Sequence, residues 1–204
     1  NGCITEGTSG EGIDQAEANG RIALVKRVCG EFGNEIPNSV AEVVRAMPFA
    51  PFHNVLGPKG ERWLPCHAQL AHDQAVPFHH ALEALLAEEA DAMARHGVVC
   101  GGMFMAVGST AFVYEPAFYW PDAQTPYQAR VVEADYLKSL PVHPRSEANE
   151  AEALRIKARV LDLMHEHGGV HFQIGKAYPF AQDHDPVGQF QGRPLALAQV
   201  LPVA

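Results

Sequence analysis

The chain has 204 residues, of which 47% are hydrophobic and 19% charged, a composition typical of a globular protein with a core of its own. Its formal net charge of −9 excludes a basic face for nucleic-acid phosphates or anionic lipids, and its longest apolar stretches are too short to cross a bilayer. No charged-then-apolar leader follows Asn1 and the four cysteines lack metal-ligand spacing, so we expect a cytoplasmic protein with reduced thiols.

The N-terminal third of the chain predicts a linker and short helices. A Gly-, Ser- and Thr-rich start is followed by a helical pattern that ends near Gly30. Ser39 and Glu42 form a capping-box pattern that opens a second short helix. The Pro-studded run 48–61 then predicts a loop, so we assign residues 1–61 to a linker and N-terminal helices.

The chain from residue 62 onwards alternates between strand and helix patterns. In chain order the predicted strands and long helices are strand Trp63–Leu70, helix Asp73–His96, strands Val98–Ala106 and Ala111–Tyr119, a helix from Ser146 to His167, and strand Val170–Ile174. The long segment 120–145 predicts a loop. On the second long helix the residues predicted to face the core are Ala151, Leu154, Ala158 and Leu161.

This order of elements predicts an α+β fold with a ferredoxin-like βαββαβ antiparallel sheet and both long helices on one face. We assign residues 62–180 to this domain and residues 181–204 to a C-terminal tail. The other face of such a sheet is left open to a neighbouring domain or a ligand.

Polar residues within the predicted strands are candidates for chemistry. Glu115 follows Tyr114 in an aromatic strand, so the two side chains point to opposite faces, and His67 ends an apolar run. His171 and Gln173 are two residues apart and share a face. Half-exposed strands with their polar side in water show the same pattern, so both interpretations stay open.

A histidine cluster at the end of the second long helix suggests a metal site as a lesser alternative. His165, His167 and His171 lie close together in the sequence, and a zinc or iron site needs three converging ligands. Positions 165 and 167 point in nearly opposite directions on a helix, which favours surface histidines instead. We therefore assign no metal ligand.

Three phrases of the chain together resemble a known enzyme family. They read RWLPCHAQLAHDQA at 62–75, FVYEPAFYWPD at 112–122 and HFQIGKAYPF at 171–180. In this order and spacing they resemble the C-terminal half of FAD-linked oxidases. This is the vanillyl-alcohol oxidase and 4-cresol dehydrogenase superfamily, which also contains D-lactate and glycolate-type dehydrogenases.

The resemblance implies that the chain is the substrate-binding cap of an FAD-dependent oxidoreductase whose FAD is held mainly by a separate N-terminal domain. It implies four catalytic residues that orient the substrate and take its proton: His67, Glu115, His171 and Gln173. Tyr114 and Lys176 are expected to contact the cofactor. The expected partners are a small-molecule substrate, the FAD-binding domain of the same enzyme and, in a dehydrogenase, an electron-acceptor protein. Without the FAD-binding domain we expect the chain to be inactive.

The expected substrate class follows from a position at which this chain differs from the family. The phenol-oxidising branch of the family holds a phenolate with a Tyr-Arg pair, where this chain has Phe172–Gln173. Of the two substrate types, a hydroxy acid is therefore favoured over a 4-alkylphenol, and Lys176 can hold its carboxylate. The hairpin strand carries no histidine, so no covalent link to the flavin is expected from this half.

An alternative from another class is a stand-alone ferredoxin-like module that binds a ligand or regulates a partner, often as a dimer through its sheet. In both interpretations an apolar sheet face would be left uncovered in a monomer. Because large apolar patches are seldom left bare, we expect a homo-oligomer that covers this face.

Overall fold

The computed structural model describes residues 14–35, 37, 39–47, 49, 51–107 and 110–171. It divides the chain into two compact units, Asn1–Pro51 and Phe52–Ala204. This division falls earlier than the boundary predicted at residue 61, because Leu56 already pairs with Arg62 of the sheet. The boundary predicted between residues 180 and 181 lies outside the described residues.

The first unit contains the two predicted N-terminal helices, α1 (Gln15–Cys29) and α2 (Ser39–Ala46). The carboxylate of Asp14 caps α1 by accepting a hydrogen bond from the Glu17 amide at 2.8 Å. α1 has no buried residue.

The second unit is an α+β domain built on a small, open antiparallel sheet. After a 3₁₀ turn at Phe52–Val55, its strands and helices are β1 (Arg62–Pro65), β2 (Ala68–Ala71), α3 (His72–Glu88), α4 (Ala90–His96), β3 (Val99–Val107), β4 (Ala111–Trp120), α5 (Pro126–Val131), α6 (Ala134–Ser139) and α7 (Glu147–Glu166). No helix within the described ranges combines the length and apolarity needed to span a membrane.

Strand β4 forms the centre of the sheet. β3 runs along one of its edges, and β1 and β2 lie in line along the other in one unbroken register. The Cys66 amide donates a hydrogen bond to the Pro116 carbonyl at 2.9 Å, but proline has no N–H that could donate to the Cys66 carbonyl. Because this second hydrogen bond is missing, the predicted strand Trp63–Leu70 is divided into β1 and β2. On the outer edge of β2, Gln69 pairs with Val170, which follows α7.

Helices α3, α4 and α7 contact one another, and α3 and α7 also contact the sheet. Strand side chains alternate between the two faces of the sheet, and the even-numbered residues are the ones that face the helices. The sheet residues in this core include Cys66, Ala68, Leu70, Tyr114, Phe118 and Trp120. The helices supply the other side of the core, chiefly Phe78, Leu82, Leu85, Ala153, Ile156, Val160 and Met164. Fully burying an aliphatic or aromatic side chain of this size contributes about 1.5–3 kcal/mol.

The core-facing side of α7 differs from the predicted one. The buried residues are Ala153, Ile156, Lys157, Val160 and Met164. Leu154, predicted to face the core, is instead exposed. Lys157 interrupts the row of apolar residues on the buried face of α7. In the sequence the neighbouring face, with Leu154, therefore has the more regular apolar pattern. Burial lowers the pKa of Lys157.

The helix predicted over Asp73–His96 is two helices, which meet at Glu89. Glu89 is buried, and its carboxylate accepts hydrogen bonds from Arg155 and Arg159 of α7. The turn at this position directs the carboxylate towards those two guanidinium groups. An apolar pattern that continues across the break cannot reveal this contact between distant residues.

The segment predicted as a loop at 120–145 contains the short helices α5 and α6. Thr125 and Gln128 form a capping box at the start of α5, and the Gln128 amide group donates to the Val55 carbonyl at 3.0 Å. His53 stacks on Tyr136 of α6 with ring centroids 3.6 Å apart. The segment therefore packs on residues 52–55 rather than extending into solvent.

Candidate functional site

A histidine–carboxylate pair lies on the face of the sheet opposite the helices. His67 and Glu115 face each other across β1–β2 and β4, where Pro116 interrupts the hydrogen-bond ladder. Opposite residues in an antiparallel pair of strands alternate between hydrogen-bonded and non-hydrogen-bonded pairs. Cys66 and Pro116 form a hydrogen-bonded pair, so His67 and Glu115 form a non-hydrogen-bonded pair, in which the two side chains are closer together. His67 Nδ1 is 3.8 Å from Glu115 Oε2.

The two members of the pair differ in exposure. The side chain of His67 is 4% exposed and that of Glu115 is 21% exposed, so Glu115 is the member that a small molecule can reach. Burial lowers the pKa of His67, and nearby His171 lowers it further. Burial raises the pKa of Glu115. At neutral pH the imidazole is therefore uncharged, while the carboxyl group is easier to protonate than an ordinary glutamate.

The surroundings of this pair are mostly apolar. Met103 on β3 is opposite Glu115, and the small residues Gly101 and Ala117 form the next cross-strand pair on this face. Trp63 and Tyr119 face each other at the end of the sheet. Burial raises the pKa of the Tyr119 hydroxyl, although its hydrogen bond with Trp63 opposes the shift. The pair thus lies among mostly apolar side chains, with Gln69 as a further polar residue on this face.

The predicted site residue His171 contacts His67 through the backbone. Its Nδ1 donates to the His67 carbonyl at 2.6 Å, and its ring meets that of His165 edge-on with centroids 5.3 Å apart. His171 is fully buried between the end of α7 and the sheet. It holds the backbone that carries the His67 side chain. The predicted residues Gln173 and Lys176 lie outside the described residues.

Tyr114, predicted to contact the cofactor, lies on the opposite face of the sheet from the His67–Glu115 pair. Its ring packs edge-on against Phe78 of α3, with centroids 5.0 Å apart. Its hydroxyl is 2.7 Å from His79 Nδ1, and His79 Nε2 is 3.5 Å from Glu83. This Tyr–His–Glu chain was missed in the sequence, where only the i, i+4 spacing of the last two residues pointed to it.

The histidine cluster considered as a metal site is spread over two environments. His167 packs against Phe78 with ring centroids 5.7 Å apart, and its Nδ1 is 3.4 Å from Gln74 Oε1. His165 instead contacts His171. Across the described part of the chain, no group of three His, Cys, Asp or Glu side chains is placed to hold a metal ion.

No protein-family model, curated protein or solved structure matches this chain. The resemblance to FAD-linked oxidases therefore stays a prediction from the three sequence phrases. The described residues supply a largely buried histidine–carboxylate pair on a mostly apolar sheet face. Such a pair can accept and release a proton beside a bound small molecule.

Proposed function

We propose that this chain is the substrate-binding cap of an FAD-dependent oxidoreductase that oxidises a hydroxy acid or, less favoured, a 4-alkylphenol. The observation that carries the proposal is the His67–Glu115 pair on the sheet face away from the helices. Both residues lie in the sequence phrases that resemble the family. When bound, the flavin accepts the hydride that leaves the substrate carbon.

We also propose the ferredoxin-like strand order for the cap. It is supported by the pairing of Val170 with Gln69, because this places the chain after α7 at the outer edge of β2. The order across the sheet then runs from residue 170 through β1–β2 and β4 to β3. A fourth strand there would widen the face on which the His67–Glu115 pair lies.

The described residues fit the wall of a substrate pocket better than a holder for the whole cofactor. The sequence has no G-x-G-x-x-G loop for a pyrophosphate. In contrast, the apolar residues Gly101, Ala117 and Met103 lie beside the pair on the same face of the sheet, which suits one wall of a substrate pocket. The FAD would accordingly be bound mainly by another domain of the enzyme.

Within this proposal Glu115 is the proton acceptor. Its raised pKa brings its basicity closer to neutral pH, where a general base is most effective. His67 is uncharged at neutral pH and lies 3.8 Å from the carboxylate, so it can share the proton that Glu115 takes from a substrate hydroxyl. His171 keeps His67 in place through the backbone hydrogen bond.

The test uses the enzyme formed by this chain and its FAD-binding domain, with Glu115→Gln and His67→Gln compared with the parent. We expect anaerobic flavin reduction by lactate-like acids to slow by about tenfold to a thousandfold, roughly 1.4–4 kcal/mol. The parent rate should fall as the pH is lowered through the raised pKa of Glu115, and Glu115→Gln should abolish this dependence.

Glu88→Gln is the matched control, because this exposed glutamate lies on α3, on the other side of the sheet. Its rate should equal that of the parent. If Glu115→Gln and His67→Gln also reduce the flavin at the parent rate with every substrate that the parent accepts, the pair has no part in catalysis.

The stand-alone ferredoxin-like module remains a second candidate. It is favoured by the long edge of β3, which is apolar, exposed and without a second partner strand among the described residues. A chain that forms no complex with an FAD-binding domain would support this module and contradict the oxidoreductase.

A further inference from the structure

Strand β3 is an unusually unprotected sheet edge. It has nine residues, VCGGMFMAV, without a charge or a proline, and it pairs with β4 in one register without a bulge. Val99, Met103 and Met105 are 60%, 50% and 48% exposed. Natural edge strands are usually shortened, bulged, charged or covered to prevent pairing with another chain. None of these features protects β3 within the described residues.

Only alternate residues of β3 point their backbone N–H and C=O groups away from the sheet. The Cys66 amide donates to the Pro116 carbonyl, so the backbone groups of Pro116 point towards β1–β2. The backbone groups of Glu115 and Ala117, the neighbours of Pro116 in β4, therefore point towards β3. Gly101 and Met103, which lie opposite those neighbours, therefore use their backbone groups within the sheet. The N–H and C=O groups of four residues point outward instead: Cys100, Gly102, Phe104 and Ala106.

Two consecutive residues of this strand are glycines, although neither the backbone conformation nor the packing within one chain requires glycine there. Neither Gly101 nor Gly102 has a positive φ, so their backbone conformation does not require glycine. A Cβ atom at Gly102 would come no closer than 3.9 Å to the Glu115 carbonyl oxygen, and one at Gly101 would contact Tyr119 at 3.6 Å, which is ordinary packing. Glycine inside a strand often marks a place where another chain approaches closely.

We propose that β3 pairs edge to edge and antiparallel with β3 of a second copy of this chain, with the two-fold axis passing between the two Met103 residues. This register uses all nine residues and joins the outward backbone groups of both strands in a continuous sheet. It places Phe104 opposite the partner's Gly102 and Met105 opposite the partner's Gly101. Large side chains thus lie beside the two glycines.

A second copy is the occupant that the order of side-chain sizes in β3 favours, because the same nine residues supply both the two glycines and the large side chains opposite them. β3 itself has no charged residue, so the contact brings no like charges together even though the chain has a net charge of −9. The remaining cross-strand pairs in this register are also apolar: Cys100 with Ala106, Val99 with Val107, and Met103 with itself. The pairing uses the sheet edge rather than the face on which the His67–Glu115 pair lies.

A cysteine cross-link tests the register. Met103→Cys would place two cysteines at a non-hydrogen-bonded antiparallel pair, with Cα atoms about 4.5 Å apart, within the range that a disulfide bridges. Met105→Cys is the matched control on the same face, since it lies opposite Gly101 and its own copies are roughly 13 Å apart. Cys29, which is exposed, and Cys3 are replaced by Ser in both variants.

We expect the parent to sediment as a dimer at micromolar concentration and Met103→Cys to form a covalent dimer under mild oxidation, whereas Met105→Cys does not. Cross-linking of Met105→Cys without Met103→Cys would overturn the proposed pairing. A monomeric parent would overturn it as well. If the parent is a monomer and the Gly102 and Phe104 amides are protected from hydrogen exchange, another segment of the same chain pairs with the edge of β3.

Met103→Lys separates association from folding. Met103 is 50% exposed, so the ammonium group can reach water in the monomer and the free energy of unfolding should change little. In the dimer the two ammonium groups would lie directly opposite each other, which is destabilising. We expect the dimer dissociation constant to rise at least about tenfold. Met47→Lys, at a methionine outside β3 that is 51% exposed, should leave the constant unchanged. A folded Met103→Lys that dimerises like the parent would refute the contact, and the cross-link tests the register if the variant does not fold.

Discussion

At the scale of single residues, Glu89 is the clearest case of a buried charge that is paired with two arginines. It lies at the turn between α3 and α4 and accepts hydrogen bonds from Arg155 and Arg159. The hydrogen bonds from Arg155, and to a lesser degree those from Arg159, lower the pKa of Glu89 to about 2 against the opposing effect of burial. The ionised carboxylate therefore holds the α3–α4 turn against α7.

We expect Glu89→Gln to lower the free energy of unfolding at pH 7 by about 1–2 kcal/mol, a value reduced because both arginines are nearly half exposed. The pKa of Glu89 is lower in the folded state than its ordinary value of 4.5. This stabilisation is therefore complete above pH 4.5 and is lost as the pH falls towards 2. Urea unfolding of both proteins across this range measures the difference.

Glu88→Gln is the control for this prediction. Glu88 is the neighbouring residue and also pairs with Arg159, at 3.0 Å, but its side chain is exposed. Exposed ion pairs contribute little, so the change should stay below about 0.5 kcal/mol. Equal effects of the two substitutions would show that burial at Glu89 adds nothing.

At the scale of elements, Asp122 connects the end of β4 to the start of α7. Its buried carboxylate accepts hydrogen bonds from the Ser146 and Ala123 amides, both at 2.8 Å, and from Arg145. Burial acts to raise the pKa of Asp122, but these hydrogen bonds outweigh it and the pKa is lowered. One carboxylate thereby closes the segment that contains α5 and α6.

We expect Asp122→Ala to lower the free energy of unfolding by about 2–4 kcal/mol, because it leaves buried N–H groups and Arg145 without their acceptor. Trypsin should cut the loosened segment faster after Arg130 and Lys138. Asp135→Ala removes an exposed carboxylate from the same segment and should change stability by less than about 0.5 kcal/mol. Unchanged stability and cleavage in Asp122→Ala would contradict the role of this carboxylate.

At the scale of the whole molecule, the core belongs to the second unit. Among the residues that the structure describes, the buried core cluster lies between Cys66 and Met164. A cooperative unfolding transition depends on such a core, because burial of apolar surface is the main stabilising contribution.

We therefore expect residues 52–204, produced without residues 1–51, to unfold in one cooperative transition with a midpoint within about 3 °C of that of the full chain. Thermal unfolding followed by circular dichroism measures both midpoints. A drop of more than about 5 °C would show that residues 1–51 stabilise the core.

Local sequence patterns predicted much of the sheet and the helix starts. The alternation of Phe112 and Tyr114 with Val113 and Glu115 assigned the two faces of β4, because strand side chains point alternately to opposite sides. Ser146 marked the start of α7, since its side chain caps the first turn. These features depend only on neighbouring residues, so the sequence by itself determined them.

Other features depend on residues that are distant in the sequence, and only the tertiary structure decided them. The division of the first strand at His67 results from a missing N–H on Pro116, and the helix break at Glu89 accompanies ion pairs with α7. The sequence named His67 and Glu115 as candidates, but their separation of 3.8 Å depends on strand register. The raised pKa of Glu115 depends on burial, which results from packing of the whole domain and has no local sequence signal.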